Sequence, residues 1–260
     1  MTDQHVPEGP RVRVFDNRTR MGAAAAAAVA DELRARLARQ PEVRMVFAAA
    51  PSQQDMLGAL AQAPDVDWSR VSAFHMDEYL GLPDGAPQRF GRWLSTVFFD
   101  RVPLGAVHLM DPDADPDGRA YAELLGRAPV DLVCLGIGEN GHLAFNDPPA
   151  ARLDDPRDVA VVELDGVSRS QQVADGLFGT VDDVPTHAIT LTVPRLLAAD
   201  RLFCVVPGAA KRQAVTRALH GPLTSQVPAS ALRTHADCTL FLDAGSAPRD
   251  VVAPAGAVSR

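Results

Sequence analysis

The sequence predicts an α/β protein: a single three-layer α/β/α domain, Rossmann-like, built on a mostly parallel sheet. Three observations carry this. Short continuous apolar runs, such as VRMVF at 43–47, LVCL at 132–135 and LFCVV at 202–206, read as strands buried on both faces. Helix-patterned segments alternate with them, as parallel strands joined by crossover helices require. No internal repeat and no linker-like run divides the 260 residues, so one domain with a core of about 12–243 and flexible termini is expected.

The chain is 47% hydrophobic and 22% charged, ample for a buried core. A formal charge of −8 and a pI near 5.3 argue against a nucleic-acid or membrane-surface binder, although a local pocket can still take an anion. No apolar run reaches the roughly 18 residues of a membrane span. The polar first ten residues do not read as a signal peptide. Cys134, Cys204 and Cys238 lie in apolar runs without CxxC spacing, as small buried hydrophobes of a reducing compartment do. A cytoplasmic protein is expected.

Residues 1–10 read as a loose arm. Val12 and Val14 alternate with arginines and predict a short edge strand. Asn17 or Thr19 can cap the helix expected over 21–40, where Val29, Leu33 and Leu37 fall at four-residue spacing. Its alanine run permits close packing on a sheet, and Pro41 closes it. The strand over 43–50 leads through Pro51, Ser52, Gln53 and Gln54 into a helix reaching about Ala61. Pro and Ser suit a helix start, whose free N–H groups can receive a phosphate. A second strand, 71–76, ends at Asp77, Glu78 and Tyr79. Neighbours along a strand face opposite sides, so one carboxylate is expected in a cleft and the other paired or in water.

Residues 82–85 form a turn, and Phe90, Leu94, Val97 and Phe98 pattern an amphipathic helix over 88–99. Residues 103–117 read as a solvated loop. Aspartates at 111, 113, 115 and 117 imitate a calcium loop, but Pro112 and Pro116 interrupt them and the glycine and glutamate spacing is missing. A helix over 117–127 precedes the strand 132–135. Later strands are expected at 159–164, 188–193, 202–206 and 239–242. A short helix starts at Pro194. The polar stretch 166–178 reads as a mobile helical segment near a site. Helix 209–220 carries Lys211 in its first turn, where a cation runs against the helix dipole and hints at an anionic ligand. Residues 247–260 read as a tail.

The strand 132–135 ends in the turn GIGENGHLAFNDPP, which holds Gly136, Gly138, Asn140, Gly141, His142 and Asp147. This turn, the segment 51–54, the carboxylates 77–78 and the segment 207–211 all follow predicted strands. They should meet at one edge of the sheet, where open α/β sheets bind ligands. A free imidazole titrates near roughly pH 6.5 and suits proton exchange with hydroxyls. Asp147 can orient His142, and Asn140 can hydrogen-bond but not carry a proton. Asp77, desolvated in a cleft, can take a proton from carbon beside a carbonyl or imine. No GxSxG elbow supports a serine hydrolase. His75, Asp77 and His142 lack the usual zinc spacings, so no metal is expected. Gly136, Gly138 and Gly141 match GxGxxG, but Glu139, Asn140 and His142 stand where a pyrophosphate would lie.

FHMDEYLGLP at 74–83 and LGIGENGHLAFNDPP at 135–149 resemble the two signature stretches of the glucosamine-6-phosphate deaminase/isomerase family. The similarity runs from about Val43 to Leu242. It implies conversion of glucosamine 6-phosphate to fructose 6-phosphate and ammonia, with no metal or redox cofactor. It implies that Asp77 moves a proton between C2 and C1, that His142 opens the pyranose ring with Asn140 and Asp147 beside it, and that Arg169 and Lys211 bind phosphate. Ser52, Gln53 and Gly138 complete the expected substrate site. Two departures stand out. Asp147 falls where the family usually has the longer glutamate. AAAPSQQ at 48–54 replaces a glycine- and threonine-rich phosphate loop, so the sugar phosphate need not be the usual one. The related 6-phosphogluconolactonases usually carry Asp-Glu-Arg in place of MDEY and a serine- and leucine-containing run after the histidine. MDEY and AFNDPP therefore favour a deaminase over a lactone hydrolase. A non-catalytic sugar-phosphate sensor is the third reading, without an attached helix-turn-helix or basic extension. Family members are often oligomeric, so the resemblance leaves a homo-oligomer open.

Overall fold

The computed structural model describes residues 9–251; the expected N-terminal arm and C-terminal tail fall largely outside that range. In chain order the elements are β1 (Arg11–Phe15), α1 (Arg18–Leu37), β2 (Val43–Phe47), α2 (Gln54–Leu60), β3 (Val71–His75), β4 (Asp77–Tyr79), α3 (Phe90–Val97), β5 (Ala106–His108), α4 (Arg119–Gly126), β6 (Leu132–Leu135), β7 (Val159–Glu163), α5 (Gly166–Ala174), β8 (His187–Leu191), α6 (Val193–Leu197), β9 (Arg201–Val206), α7 (Arg212–His220) and β10 (Cys238–Asp243). Of the two candidate caps, Asn17 is the one used: its Oδ1 accepts from the Arg20 N–H at 2.9 Å. The small residues of α1 do more than cover the sheet. A Cβ on Gly22 would fall 2.7 Å from Asp55 Cβ, so α1 and α2 cross almost backbone to backbone.

Seven parallel strands form the main sheet in the order β1-β10-β9-β6-β2-β3-β5. Their side chains alternate between two apolar layers. Val43, Met45 and Phe47 of β2 face α1 and α2, whereas Val46 joins the layer that holds residues of α4, α6 and α7. That is the three-layer architecture the apolar strands predict. Burial pushes the thiols of Cys134 and Cys238 up to about 12, in keeping with small buried hydrophobes.

Three expectations need correction. The strands near 159–164 and 188–193 exist but lie outside the main sheet: β7 and β8 pair antiparallel, and β8 pairs antiparallel with β4. Val161 and Glu163 of β7 are exposed, the open face that an antiparallel ribbon tolerates and a two-sided parallel sheet does not. Residues 103–117 are not all loop, because Ala106–His108 adds edge strand β5, with Val107 facing solvent. The tail also begins later than expected. Ala247 is fully buried, and its N–H donates to the Asp243 carbonyl at 3.0 Å.

Topology explains where a ligand fits. From β2 the chain proceeds outward through β3 and β5; from β6 it proceeds the other way through β9 and β10. β2 and β6 are neighbours, so the turns leaving their C-terminal ends diverge and open a crevice between them.

Candidate active site

That crevice is a cleft lined from several turns at once. Ser52 and Gln53 come from the turn after β2, Asp77 from the start of β4, Gly138 and His142 from the turn after β6, and Lys211 from the turn after β9. The dispersed segments thus meet at one sheet edge. Asp77 reaches it because the two sheets join there. Only Met76 separates β3 from β4, its carbonyl accepts from the Leu191 N–H at 2.7 Å, and Asp77 pairs with Thr190. Thr190 Oγ1 in turn accepts from the Phe145 N–H at 3.1 Å, tying the glycine turn to the same ribbon.

The glycine turn is shaped around His142. A Cβ on Gly138 would lie 2.2 Å from His142 Nε2, so only a hydrogen fits beneath the ring. Gly138 N–H donates to the His142 carbonyl at 3.0 Å, and Gly141, at φ +94°, makes the reversal. Asn140 stands behind the histidine rather than in the cleft. Its Oδ1 accepts from the His142 N–H and its Nδ2 donates to Asp147 Oδ1, both at 3.0 Å. Asp147 Oδ1 lies 2.8 Å from His142 Nδ1, as close as an ion pair although off the ring N–H direction. The shorter aspartate therefore reaches the ring. The turn curls tightly enough for this because Asn146 Nδ2 donates to the Leu143 and Leu191 carbonyls, each at 2.8 Å.

The carboxylates sit in contrasting fields. Burial, then the charges of Glu78 and Asp147, push Asp77 well above the usual carboxylate range. Burial also works against ionised Asp147, but His142 and the Asn140 amide outweigh it and hold Asp147 below that range. Burial lowers the Lys211 ammonium, opposed by Glu139 and Asp175.

Two expected ligand contacts are arranged differently. Arg169 does not line the cleft; its guanidinium donates to the carbonyls of Val181 at 2.6 Å and Val184 at 3.0 Å. Helix α5 and its C-cap present Gln171, Gln172 and Asp175 instead, and Gln171 Oε1 accepts from the Glu139 N–H at 3.0 Å. Gln53 lines the cleft, but its Nε2 already donates to the Val205 carbonyl at 3.0 Å and to Ser52 Oγ at 3.2 Å. It has no free donor for an anion, whereas Ser52 keeps its hydroxyl proton. The α5 contacts were missed because a polar helix advertises no facing direction until it is packed. Among the described residues, no group of three or more His, Cys, Asp or Glu side chains could hold a metal ion.

A switch-point crevice holding a buried high-pKa carboxyl, a histidine–aspartate pair and a single lysine defines an α/β enzyme built for proton transfer on a small anionic ligand. Residues 16–241 match the family model for glucosamine-6-phosphate isomerases/6-phosphogluconolactonase, and the chain belongs to that family. It is 38% identical over 187 residues to the glucosamine-6-phosphate deaminase of an Exiguobacterium strain, covering 71% of this chain and 72% of that protein. It is 31% identical to the enzyme of the same name from Lactobacillus delbrueckii subsp. bulgaricus, covering 71% and 78%. The fold is shared with a monomeric glucosamine-6-phosphate deaminase (TM-score 0.80, 24% identity, 91% of this chain and 98% of the other). It is shared also with the 6-phosphogluconolactonase of Thermotoga maritima (TM-score 0.72, 19% identity, 90% and 99%).

Proposed function

We propose that this enzyme isomerises and deaminates an amino-sugar phosphate, converting glucosamine 6-phosphate and water to fructose 6-phosphate and ammonia. The observation that carries the reading is the placing of Asp77, a buried carboxyl with raised pKa, in one cleft with the His142–Asp147 pair. Lys211 and the Ser52 hydroxyl meet the phosphate. His142 takes the proton of the C1 hydroxyl and returns one to the ring oxygen, opening the pyranose, and Asp147 stabilises the imidazolium in between. Asp77 then removes the C2 proton of the open-chain aldehyde as the C1 oxygen takes up a proton, giving an enolamine, and delivers the C2 proton to C1 as the nitrogen gives up a proton. C1 is then an alcohol and C2 an imine; water adds to the imine, and ammonia departs to leave the ketone. A desolvated carboxylate is a stronger base than one in water, which suits Asp77 to taking a proton from carbon.

The test is ammonia release by the purified protein, offered glucosamine 6-phosphate within a panel of amino and neutral sugar phosphates and 6-phosphogluconolactone. Turnover of the amino sugar supports the reading. Faster lactone hydrolysis would make the chain a lactonase, and saturable binding without turnover would make it a sensor. The AAAPSQQ turn makes the choice of amino sugar the most informative result of the panel.

A further inference from the structure

The carboxylate beside Asp77 takes no part in the steps above, yet it is among the most completely engaged side chains of the fold. Glu78 is 1% exposed. Its Oε1 accepts from the Tyr79 N–H at 2.9 Å and the Phe90 N–H at 3.0 Å, and its Oε2 accepts from the Gly91 N–H at 3.0 Å. His75 Nε2 stands 3.8 Å from Oε2. Phe90 and Gly91 are the first residues of α3, and the residue before them, Arg89, supplies no side-chain cap. The acceptor that this helix start needs therefore arrives from another element, β4. Phe90 is also a wall of the cleft.

We propose that Glu78 is a positioning residue for Asp77: a carboxylate that locks the strand carrying the base to the helix walling the cleft, and stands as a negative charge behind it. The proposal rests on the reading of Asp77 as the base. Two adjacent carboxylates then have opposite duties because their surroundings differ. Burial works against the Glu78 anion, but His75 and the Gly91 and Phe90 N–H groups at the helix start outweigh it and hold its carboxyl below the usual range. Asp77 faces the ligand with little to stabilise its charge. Around Asp77 stand Glu78 and Tyr79 on its own strand, Tyr121 of α4, His142 and Asp147 of the glycine turn, Asp175 beyond α5, and Lys211. Burial holds Tyr79 and Tyr121 neutral through the working pH range. Glu78 and Asp147 are the buried anions of the set, and Asp147 has its own histidine. Glu78 is thus the anion whose main effect on the site is to make Asp77 a stronger base.

The sign follows. Removing the charge of Glu78 makes the Asp77 anion easier to form. Asp77 then gives up its proton at lower pH, and the acid limb of the rate profile moves down. Glu78→Gln keeps a side-chain oxygen for the helix start and removes the charge. We expect the acid limb of kcat/KM to fall by about one pH unit, and kcat at its plateau to drop roughly three- to tenfold as the base weakens. A purely structural cap would lower activity or stability without moving the limb, so an unmoved limb overturns the proposal. The native protein offers a second test should the variant fail to fold. Carboxyl 13C shifts should show Glu78 ionised throughout the range in which Asp77 takes up its proton, and Glu78 protonating first overturns the proposal. A wild-type enzyme that releases no ammonia, or an Asp77→Asn variant of normal activity, would instead sink the reading of Asp77. An Asp77-dependent limb that ignores Glu78→Gln sinks the role of Glu78 alone.

Discussion

At the residue scale the site depends on what surrounds each titrating group. Asp77→Asn preserves shape but cannot accept the C2 proton; kcat should fall by about 10²–10⁴-fold with KM little changed, measured by ammonia release. The raised pKa of Asp77 sets the direction of the pH dependence. Its base form is lost as pH falls through that raised value, so the acid limb should lie above the ordinary carboxylate range. Gly138→Ala tests a different dependence. The added methyl would occupy the space of the His142 ring, turning it off Asp147, so a loss of about 10²-fold in kcat is expected. Wild-type activity in that variant would show that His142 need not sit where the fold holds it. Asp77, His142 and Lys211 were legible in the sequence because each follows an apolar strand that fixes its place in the sheet. Gln171, Gln172 and Asp175 were not, and neither was the diversion of Arg169 to backbone carbonyls, because both depend on how α5 is rotated against its neighbours.

At the scale of elements, the same distinction separates what the sequence reveals from what it hides. β2, β6 and β9 announce themselves as continuous apolar runs because both faces are buried. β5 has three residues and an exposed Val107, too short and too one-sided to stand out from its Asp- and Pro-rich surroundings. β7 and β8 are readable as strands, but pairing partners and direction are decided by non-local contacts. The elements are also held together at the end of the sheet opposite the cleft. Arg36 near the end of α1 donates to Glu32 at 2.7 Å, to Asp131 just before β6 at 2.9 Å, and to Asp200 just before β9 at 2.8 Å. Asp131 Oδ2 meanwhile accepts the Arg44 N–H of β2 at 2.7 Å. One guanidinium thus ties a helix to the starts of two strands. Arg36→Met should cost about 1–3 kcal/mol in urea unfolding, since it removes three charge-assisted hydrogen bonds, two of them to the largely buried Glu32 and Asp131. Because the cleft lies at the strands' other ends, kcat should stay within about twofold; a large loss of activity without a loss of stability would contradict this division.

At the scale of the whole molecule, the cleft is where the parallel sheet and the antiparallel ribbon meet. Ser52, Gly138 and Lys211 hang from the first and Asp77 from the second, while Phe145 and Thr190 link the two. A ligand bridging Lys211 and Asp77 consequently touches both bodies, and its binding energy should act on both. If the chain unfolds as one domain, calorimetric and van't Hoff enthalpies should agree and a single transition should appear. A non-reacting sugar-alcohol phosphate at about 100 times its Kd adds roughly 2.7 kcal/mol by mass action. For a chain of this size that moves Tm upward by about 5 °C. The whole transition should move, because neither sheet can unfold while the ligand holds the other in place. Two transitions, with ligand shifting only one, would mean that the ribbon carrying Asp77 opens independently of the sheet carrying Lys211. The base and the phosphate site would then be brought into register by the substrate itself, and the apparent affinity would fall by the fraction of molecules in which the ribbon is open.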